Sequence, residues 1–179
     1  MFKSVRRSNI KYLLVMRHSQ AENLSGKIND VSRKLTAKGI RDSSSISRYF
    51  ADQGYVWDLI LCSNARRSYQ SGGVIADSFK LSPKIQIQNN LYPGSLQLIF
   101  SELRALGRTV NSVLLIGHNP SIQVFAQDLA GRVHTPFLSR LAVRFPPGSV
   151  AVYNCNIREW SDLSSDNAVL KDYVTPADT

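Results

Sequence analysis

The stretch Tyr12-Leu13-Leu14-Val15-Met16-Arg17-His18-Ser19 decides the fold of this chain. A run of apolar residues leads directly into an Arg-His pair, which is typical of a short buried strand that ends in charged side chains. Parallel strands of an α/β sheet present functional side chains at their carboxyl ends. A second apolar run, residues 113–117, ends in His118-Asn119-Pro120 in the same way. The two strands together predict one anion-binding site that contains two imidazoles.

Length and composition predict one domain, residues 12–179, preceded by a basic leader at residues 1–11. The chain has 179 residues, of which 43% are hydrophobic, and a formal net charge of +9. No apolar run approaches the roughly 20 residues that a membrane span needs. The basic residues are dispersed and show little interleaving with aromatic residues, so a nucleic-acid surface is not predicted. The charge instead favours phosphorylated small molecules or phosphorylated proteins as substrates, and the oligomeric state is left open.

The two cysteines do not form a motif. Cys62 and Cys155 are far apart in the chain, so neither a zinc site nor a redox pair is indicated. Cys62 lies in an apolar run, where a reduced, buried thiol is the expected state. These features predict a reducing compartment, namely the cytoplasm.

The apolar periodicity along the chain predicts strands that alternate with helices. Strands are expected at 12–16, 59–63, 85–87 and 113–117. Helices are expected at 37–52 with Thr36 as N-cap, at 65–79, after Ser95 and from Pro120. The core face of the first helix is expected to contain Ile40, Ile46, Tyr49 and Phe50. Residues 141–145 and 149–155 are predicted to form a closing hairpin, and the tail to Thr179 is expected to be short and polar, with Leu170, Tyr173 and Val174 packing back.

This alternation of elements predicts an α/β protein. Parallel strands joined by helices form a sheet that is covered on both faces. The closing hairpin makes the sheet mixed, so we expect a three-layer α/β/α sandwich with a mostly parallel sheet.

Four basic residues are expected to meet at the carboxyl edge of this sheet: Arg17, His18, Arg67 and His118. Guanidinium groups bind phosphate oxygens in a bidentate fork, and the helix that opens at Pro120 adds its amino-terminal dipole. Each residue alone has an ordinary structural explanation. Together they predict an anion site, because burying several cations requires an anion to offset the desolvation cost. Spacing alone does not separate Arg67 from Arg66.

The order of four short motifs resembles that of the histidine phosphatase superfamily, also called phosphoglycerate mutase-like, and in particular its SixA-type phosphohistidine phosphatases. The motifs are Met16-Arg17-His18-Ser19, Lys34-Leu35-Thr36-Ala37-Lys38-Gly39, Ser63-Asn64-Ala65-Arg66-Arg67-Ser68-Tyr69-Gln70-Ser71 and Gly117-His118-Asn119-Pro120. The likeness spans roughly residues 12–176. Its register selects Arg67 over Arg66.

The resemblance implies a role for each site residue. His18 is similar to the nucleophile that becomes phosphorylated, Arg17 and Arg67 to the phosphate clamps, and His118 to the second histidine that binds the phosphate. The implied activity is that of a phosphatase with a phosphohistidine enzyme intermediate, which acts on phosphohistidine in a protein. The implied fold is phosphoglycerate mutase-like, and neither a cofactor nor a metal is expected.

Two departures from the family pattern affect the chemistry. Ser19 replaces the commoner Gly or Ala, so its side chain needs a hydrogen-bond partner. Many members also carry a Glu near Leu91-Tyr92-Pro93-Gly94 as general acid, and this chain has none there. An alkoxide leaving group needs a proton, whereas an imidazole that is already protonated leaves as a neutral molecule. We therefore expect labile N–P bonds or good leaving groups to be preferred, with Glu22 and Glu102 as fallback acids.

Three other functions remain open from the sequence. One is a broad-specificity phosphomonoesterase or a mutase of the same superfamily. Another is a non-catalytic phosphate-binding module. The last is a nucleic-acid-binding protein, whose salt-sensitive binding would survive removal of the pocket arginines.

Overall fold

The computed structural model describes residues 10–24, 26, 29–78, 83–131 and 135–179, and within these it contains six strands and five α-helices. The strands are β1 (Lys11–Arg17), β2 (Leu59–Ser63), β3 (Lys84–Gln88), β4 (Ser112–Gly117), β5 (Val150–Cys155) and β6 (Ala168–Val174). The helices are α1 (Ala37–Asp52), α2 (Arg66–Asp77), α3 (Leu96–Arg104), α4 (Ser121–Leu129) and α5 (Pro136–Val143). Four short 3-10 turns complete the described elements: Asp30–Ser32, Asn89–Leu91, Trp160–Asp162 and Pro176–Asp178.

The six strands form one mixed sheet in the order β3-β2-β4-β1-β5-β6. β1, β2, β3 and β4 pair in parallel, while β5 is antiparallel to both β1 and β6. In the β1–β4 pair, Arg17 lies opposite Gly117, and the backbone N–H of His18 donates to the Gly117 carbonyl over 3.1 Å. This register places residue 18 and residue 118 at the same point on the carboxyl edge of the sheet.

Apolar side chains cover both faces of the sheet. Alternate residues of a strand point to opposite faces, so Leu13 and Val15 pack with α3, α4 and α5 on one side. Leu14 and Met16 pack on the other side, against the face of α1 that contains Ile46. The predicted three-layer α/β/α sandwich with a mostly parallel mixed sheet is confirmed.

The predicted closing hairpin is wrong. Residues 136–143 form α5 instead of a strand, because Pro136 occupies the first helical turn and the Thr135 side chain accepts from the N–H of Leu138 over 3.1 Å. The strand that pairs with β5 is β6, so the tail is not short and polar. The expectation that Leu170, Tyr173 and Val174 pack back on the body is confirmed, since all three are buried.

Several predicted bounds and one core residue differ from the structure. Lys11, assigned to the leader, belongs to β1, and its Nζ donates to the carbonyl of Val110 over 2.6 Å; residues 1–9 lie outside the described part. Ile40 is 46% exposed rather than in the core, because α1 turns Ile46 and Phe50 toward the sheet. The predicted Thr36 cap is confirmed. The helix predicted at 65–79 is Arg66–Asp77, and Phe79 lies outside the described residues.

Candidate active site

The structure brings the two histidines of the sequence prediction into contact at the carboxyl edge of the sheet. The ring centroids of His18 and His118 are 4.9 Å apart, with 50° between the ring planes. Both side chains are buried, with 8% and 6% of their surfaces exposed. Residues 100 positions apart in the chain meet here because β1 and β4 are adjacent, parallel and in register.

The backbone sets the orientation of the His18 ring. Its Nδ1 lies 2.7 Å from the carbonyl oxygen of Ser19. A carbonyl oxygen only accepts, so Nδ1 bears the hydrogen and Nε2 is left with a lone pair. Burial, followed by the charges of Arg67 and Arg17, lowers the pKa of His18 to about 4, although the hydrogen bond to Ser19 opposes this shift. Near pH 7 the ring is therefore neutral, with Nε2 available as a nucleophile.

The side chain of Ser19 has the hydrogen-bond partner that the sequence analysis expects it to need. The Ser43 hydroxyl on α1 donates to the Ser19 hydroxyl oxygen over 2.8 Å, and the Ser71 hydroxyl on α2 accepts from the Ser19 backbone N–H over 3.0 Å. All three serines are buried. The residue that fixes His18 is thus itself held by two helices.

Arg67, rather than its neighbour Arg66, contacts the nucleophile candidate. It lies in the first turn of α2 with 3% of its surface exposed, and its Nε donates to Nε2 of His18 over 3.1 Å. Asp30 compensates for burial of the charge, because Nη1 donates to the Asp30 carbonyl over 2.6 Å and Nη2 to the carboxylate over 2.8 Å. The guanidinium also lies 5.5 Å from the ring centroid of Tyr92.

Arg17 is a second cation at this edge of the sheet. Its Nη1 donates to the carbonyl of Phe145 over 3.0 Å, and its Nε is buried without a hydrogen-bond partner among the described residues. Burial, and then the charge of Arg67, lowers the pKa of Arg17. The positive charges of Arg17 and Arg67 repel each other and make the site electropositive, so a bound anion would stabilise it.

The two ring nitrogens of His118 differ in their hydrogen bonding. Its Nε2 lies 2.6 Å from the Ser63 hydroxyl, which also accepts from the N–H of Ala65 over 3.3 Å. A Ser hydroxyl has one hydrogen and two lone pairs, so it can donate to Nε2 while it accepts from Ala65; with Ser63 as the donor, the hydrogen of the neutral His118 ring lies on Nδ1. Nδ1 is buried and has no hydrogen-bond partner among the described residues. Burial, and then the neighbouring His18, lowers the pKa of His118 to about 2, so the ring is a neutral hydrogen-bond donor.

Sequence reasoning missed three contributors to this site. The sequence analysis assigns no role in the site to Asp30, Tyr92 or Ser63. In the structure the Tyr92 hydroxyl donates to Asp30, and the Tyr92 ring lies edge-on to His118 at 5.1 Å. The (i, i+3) spacing of Asp30 and Arg33, an ion pair in the structure, is the signal that the sequence offered.

The fallback acids do not contact the histidine pair. Glu22 is exposed, and a carboxylate oxygen of Glu102 accepts from the side chain of Asn90 over 2.8 Å. Within the described ranges there is no cluster of three or more His, Cys, Asp or Glu residues that would hold a metal ion. Among the same residues, no helix is long and apolar enough to cross a membrane.

The chain resembles proteins from several bacteria along most of its length, although no family model matches it. An uncharacterized protein of Mycobacterium leprae is 26% identical over 165 residues, which cover 90% of this chain and 99% of that protein. The solved structure of a proposed phosphohistidine phosphatase SixA from Nakamurella multipartitia matches with a TM-score of 0.81 and 24% identity, over 93% of this chain and 96% of that one. The solved structure of a proposed phosphohistidine phosphatase SixA from Agrobacterium tumefaciens matches with a TM-score of 0.78 and 25% identity, over 93% of this chain and 98% of that one.

The fold extends to a wider group of enzymes. A phosphoglycerate mutase from Plasmodium falciparum matches with a TM-score of 0.59 and 14% identity, over 91% of this chain and 89% of that one. The predicted resemblance to SixA-type phosphatases and the predicted phosphoglycerate mutase-like fold are confirmed. The structural neighbours of the chain include phosphatases of the histidine phosphatase superfamily.

Proposed function

We propose that this protein is a metal-independent phosphatase that forms a phosphohistidine at His18, and that its substrate is a phosphohistidine in another protein. The observation that carries the proposal is the state of the His18 ring. Nδ1 is bonded to a backbone carbonyl, and Nε2 has a lone pair beside Arg67 and the second imidazole. A neutral imidazole beside preorganised cations is suited to attack on a phosphoryl group.

In the first step, the Nε2 lone pair of His18 forms a bond to phosphorus. The bond between phosphorus and the substrate nitrogen breaks, and its electron pair returns to that nitrogen. Arg17, Arg67 and Nδ1 of His118 donate to the phosphoryl oxygens, over which negative charge is spread in the transition state. The Ser19 carbonyl stabilises the positive charge that develops on the His18 ring, because it accepts the hydrogen of Nδ1.

In the second step, the oxygen of a water molecule attacks phosphorus and the P–Nε2 bond breaks. The electron pair returns to Nε2, and both hydrogens of the water leave with the product as dihydrogen phosphate. When the substrate is a phosphohistidine with a protonated ring, neither step needs a separate proton donor. The leaving imidazole departs neutral, and the His18 ring becomes neutral again after hydrolysis.

This balance of protons supports a preference for N–P bonds. An alkyl phosphate would leave as an alkoxide, which needs a proton during bond cleavage. Asp30 cannot supply it, because hydrogen bonds from Tyr92, Arg67 and Arg33 lower the pKa of its carboxyl to about 2. If the protein hydrolyses a simple alkyl phosphate as fast as phosphohistidine, this leaving-group argument is wrong.

A trapping experiment tests the proposed function. The protein is incubated with a labelled phosphoramidate, quenched, and assayed for protein-bound label that is labile in acid and stable in alkali. Label is expected on the wild type and on an Arg66→Ala control, whose side chain lies in the same helical turn as Arg67, but not on His18→Ala. Equal label on His18→Ala would remove His18 from the mechanism. Binding of tungstate, a tetrahedral oxyanion that substitutes for phosphate, is measured in parallel. If the wild type binds tungstate but is not labelled, the protein is a phosphate-binding module without turnover.

We also propose that residues 11–179, with the start of the predicted domain moved by one residue to include Lys11, act as a single domain in a reducing compartment such as the cytoplasm. Cys62 and Cys155 are buried free thiols, and burial raises the pKa of each to about 12, so neither is a reactive thiolate. The proposed partner is a phosphorylated protein, and a small phosphorylated molecule is the alternative. We do not propose a nucleic acid as a partner. Recovery of the protein in an oxidising compartment after cell fractionation would contradict the localisation.

A further inference from the structure

The Asp30 carboxylate is the meeting point of three side chains that come from separate parts of the chain. One oxygen, Oδ1, accepts from Nε of Arg33 over 2.8 Å and forms an ion pair with Nη2 of the same side chain at 2.7 Å. The other, Oδ2, accepts from Nη2 of Arg67 over 2.8 Å and from the Tyr92 hydroxyl. The Asp30 carboxylate thus accepts three side-chain hydrogen bonds and forms ion pairs with two guanidinium groups.

This arrangement makes Asp30 a poor proton donor and a poor general base. Hydrogen bonds from Tyr92, Arg67 and Arg33 lower the pKa of its carboxyl to about 2, so near neutral pH it has no proton to donate and little tendency to take one. Any effect of Asp30 on the reaction must therefore pass through the groups that it holds. Arg67 is the one among them that touches His18.

We propose that Asp30 is a positioning residue for Arg67, which fixes the guanidinium so that its Nε–H faces the nucleophilic nitrogen of His18. The backbone carbonyl and the carboxylate of Asp30 bind Nη1 and Nη2, which is a two-point attachment at the end of the guanidinium away from His18. Holding an Arg side chain in one orientation costs rotamer entropy. The hydrogen bonds to Asp30 offset this cost before a substrate binds. This inference rests on the proposed function, since it names a residue that prepares the same site.

Arg33 and Tyr92 hold Asp30 in turn. Nη1 of Arg33 donates to the Glu22 carbonyl over 2.7 Å, which ties Asp30 to the start of its own loop. Tyr92 contacts Asp30 through its hydroxyl, while its ring packs against Arg67 and His118. When a phosphoryl group binds, the Nε–H of Arg67 moves from His18 to a phosphoryl oxygen while the other two nitrogens stay attached to Asp30. The clamp thus frees the nucleophile without a large movement.

The sign of one pKa change tests this proposal. The charged or titratable groups that act on His18 are Arg67, Arg17, Arg33 and His118. If Asp30→Asn only removes a negative charge, the pKa of His18 stays the same or falls. If instead the substitution releases Arg67, His18 loses the nearest cation and its pKa rises from about 4 toward its ordinary value.

The experiment follows the His18 ring by NMR between pH 3 and 8 in the full-length protein, together with tungstate affinity and kcat/KM for phosphohistidine. For Asp30→Asn we expect a raised pKa of His18, weaker binding of tungstate, and a loss of kcat/KM of about 10- to 100-fold, by analogy with residues that orient the ligands of a metal ion. Asp42→Asn is the matched control, because it removes the same charge from an ion pair with Lys38 on α1 and leaves all three readouts unchanged.

A second variant keeps the test valid if Asp30→Asn fails to fold. Tyr92→Phe retains the ring and removes one donor to Asp30, and it should raise the pKa of His18 in the same direction by a smaller amount. An unchanged or lowered pKa of His18 in the folded variants overturns the proposal. The pKa and the tungstate affinity do not depend on turnover, so they support or overturn the positioning role even if the wild type proves to have no phosphatase activity.

Discussion

The two buried imidazoles make the stability of the fold depend on pH between about pH 5 and pH 7. In an unfolded chain each histidine has a pKa of about 6.5. In the folded protein, burial lowers the pKa of His18 to about 4 and that of His118 to about 2. The unfolded chain therefore binds more protons than the folded protein, and the free energy of unfolding decreases as the pH falls through the unfolded value.

Proton linkage gives the size of this effect. At pH 5 each ring is uncharged in the folded protein and mostly protonated in the unfolded chain, so each contributes a loss of about 2 kcal/mol between pH 7 and pH 5. The loss depends little on the folded pKa, because any value of about 4 or lower leaves the ring uncharged at pH 5. Carboxyls such as Asp30, whose pKa is about 2, stay ionised over this range. The histidine pair thus accounts for a loss of about 4 kcal/mol.

Replacing His18→Gln removes one of the two groups, so the variant should lose about 2 kcal/mol less stability than the wild type between pH 7 and pH 5. Urea unfolding at pH 7, 6 and 5 measures the free energy of unfolding of both proteins. Comparing the change with pH, rather than stability at one pH, cancels any cost of the substitution itself. His134 is present in both proteins, so its contribution also cancels. Equal losses in the two proteins would refute the reasoning.

Three further substitutions test other contacts. Arg67→Lys retains the positive charge but loses the planar set of N–H donors, and should lower kcat/KM for phosphohistidine by a factor of about 10²–10³. A decrease of less than about tenfold would contradict the proposed role of Arg67 in binding the phosphoryl group. Ser63→Ala removes the partner of His118 Nε2, and should lower kcat/KM by about tenfold while altering the tautomer of that ring in NMR spectra. Gly39→Ala would place its Cβ 2.1 Å from the Gln20 carbonyl oxygen, so it should cost about 1–3 kcal/mol of unfolding free energy, whereas the control Gly73→Ala, with open space around it, should be neutral or stabilising by up to about 1 kcal/mol.

The sequence was sufficient to predict the arrangement of the central strands. β1 and β4 each contain an apolar run, and a histidine follows the last residue of each strand; buried parallel strands place such ends together. Arg67 was separated from Arg66 only by its register within a family motif. Both features are encoded locally, either in one strand or in one short motif.

The contacts of Asp30 could not be predicted in the same way. They depend on the path of the segment that precedes α1, which brings Asp30 beside Arg67 and Tyr92, residues 37 and 62 positions away in the chain. The turn-forming residues of this segment indicate a loop but not where it lies. Pairings of this kind are set by tertiary structure, and hydrophobic periodicity does not describe them.

The error in the carboxyl-terminal region has a different origin. Short apolar runs such as residues 141–145 fit a strand or a helix equally well, and the capping residues Thr135 and Pro136 decided in favour of α5. The buried residues of β6 were recognised as packing against the body, but its pairing with β5, which contains an irregularity at Val152/Tyr153, was not.

The site of phosphorylation tests the central claim most directly. The phosphoenzyme is prepared with a phosphoramidate in protein that contains nitrogen-labelled histidine, and the phosphorus–nitrogen coupling is observed by NMR. Because the Ser19 carbonyl occupies Nδ1 of His18, we predict a one-bond coupling to Nε2 of His18 alone. Coupling to Nδ1 of that ring, or to a nitrogen of His118, would contradict the mechanism.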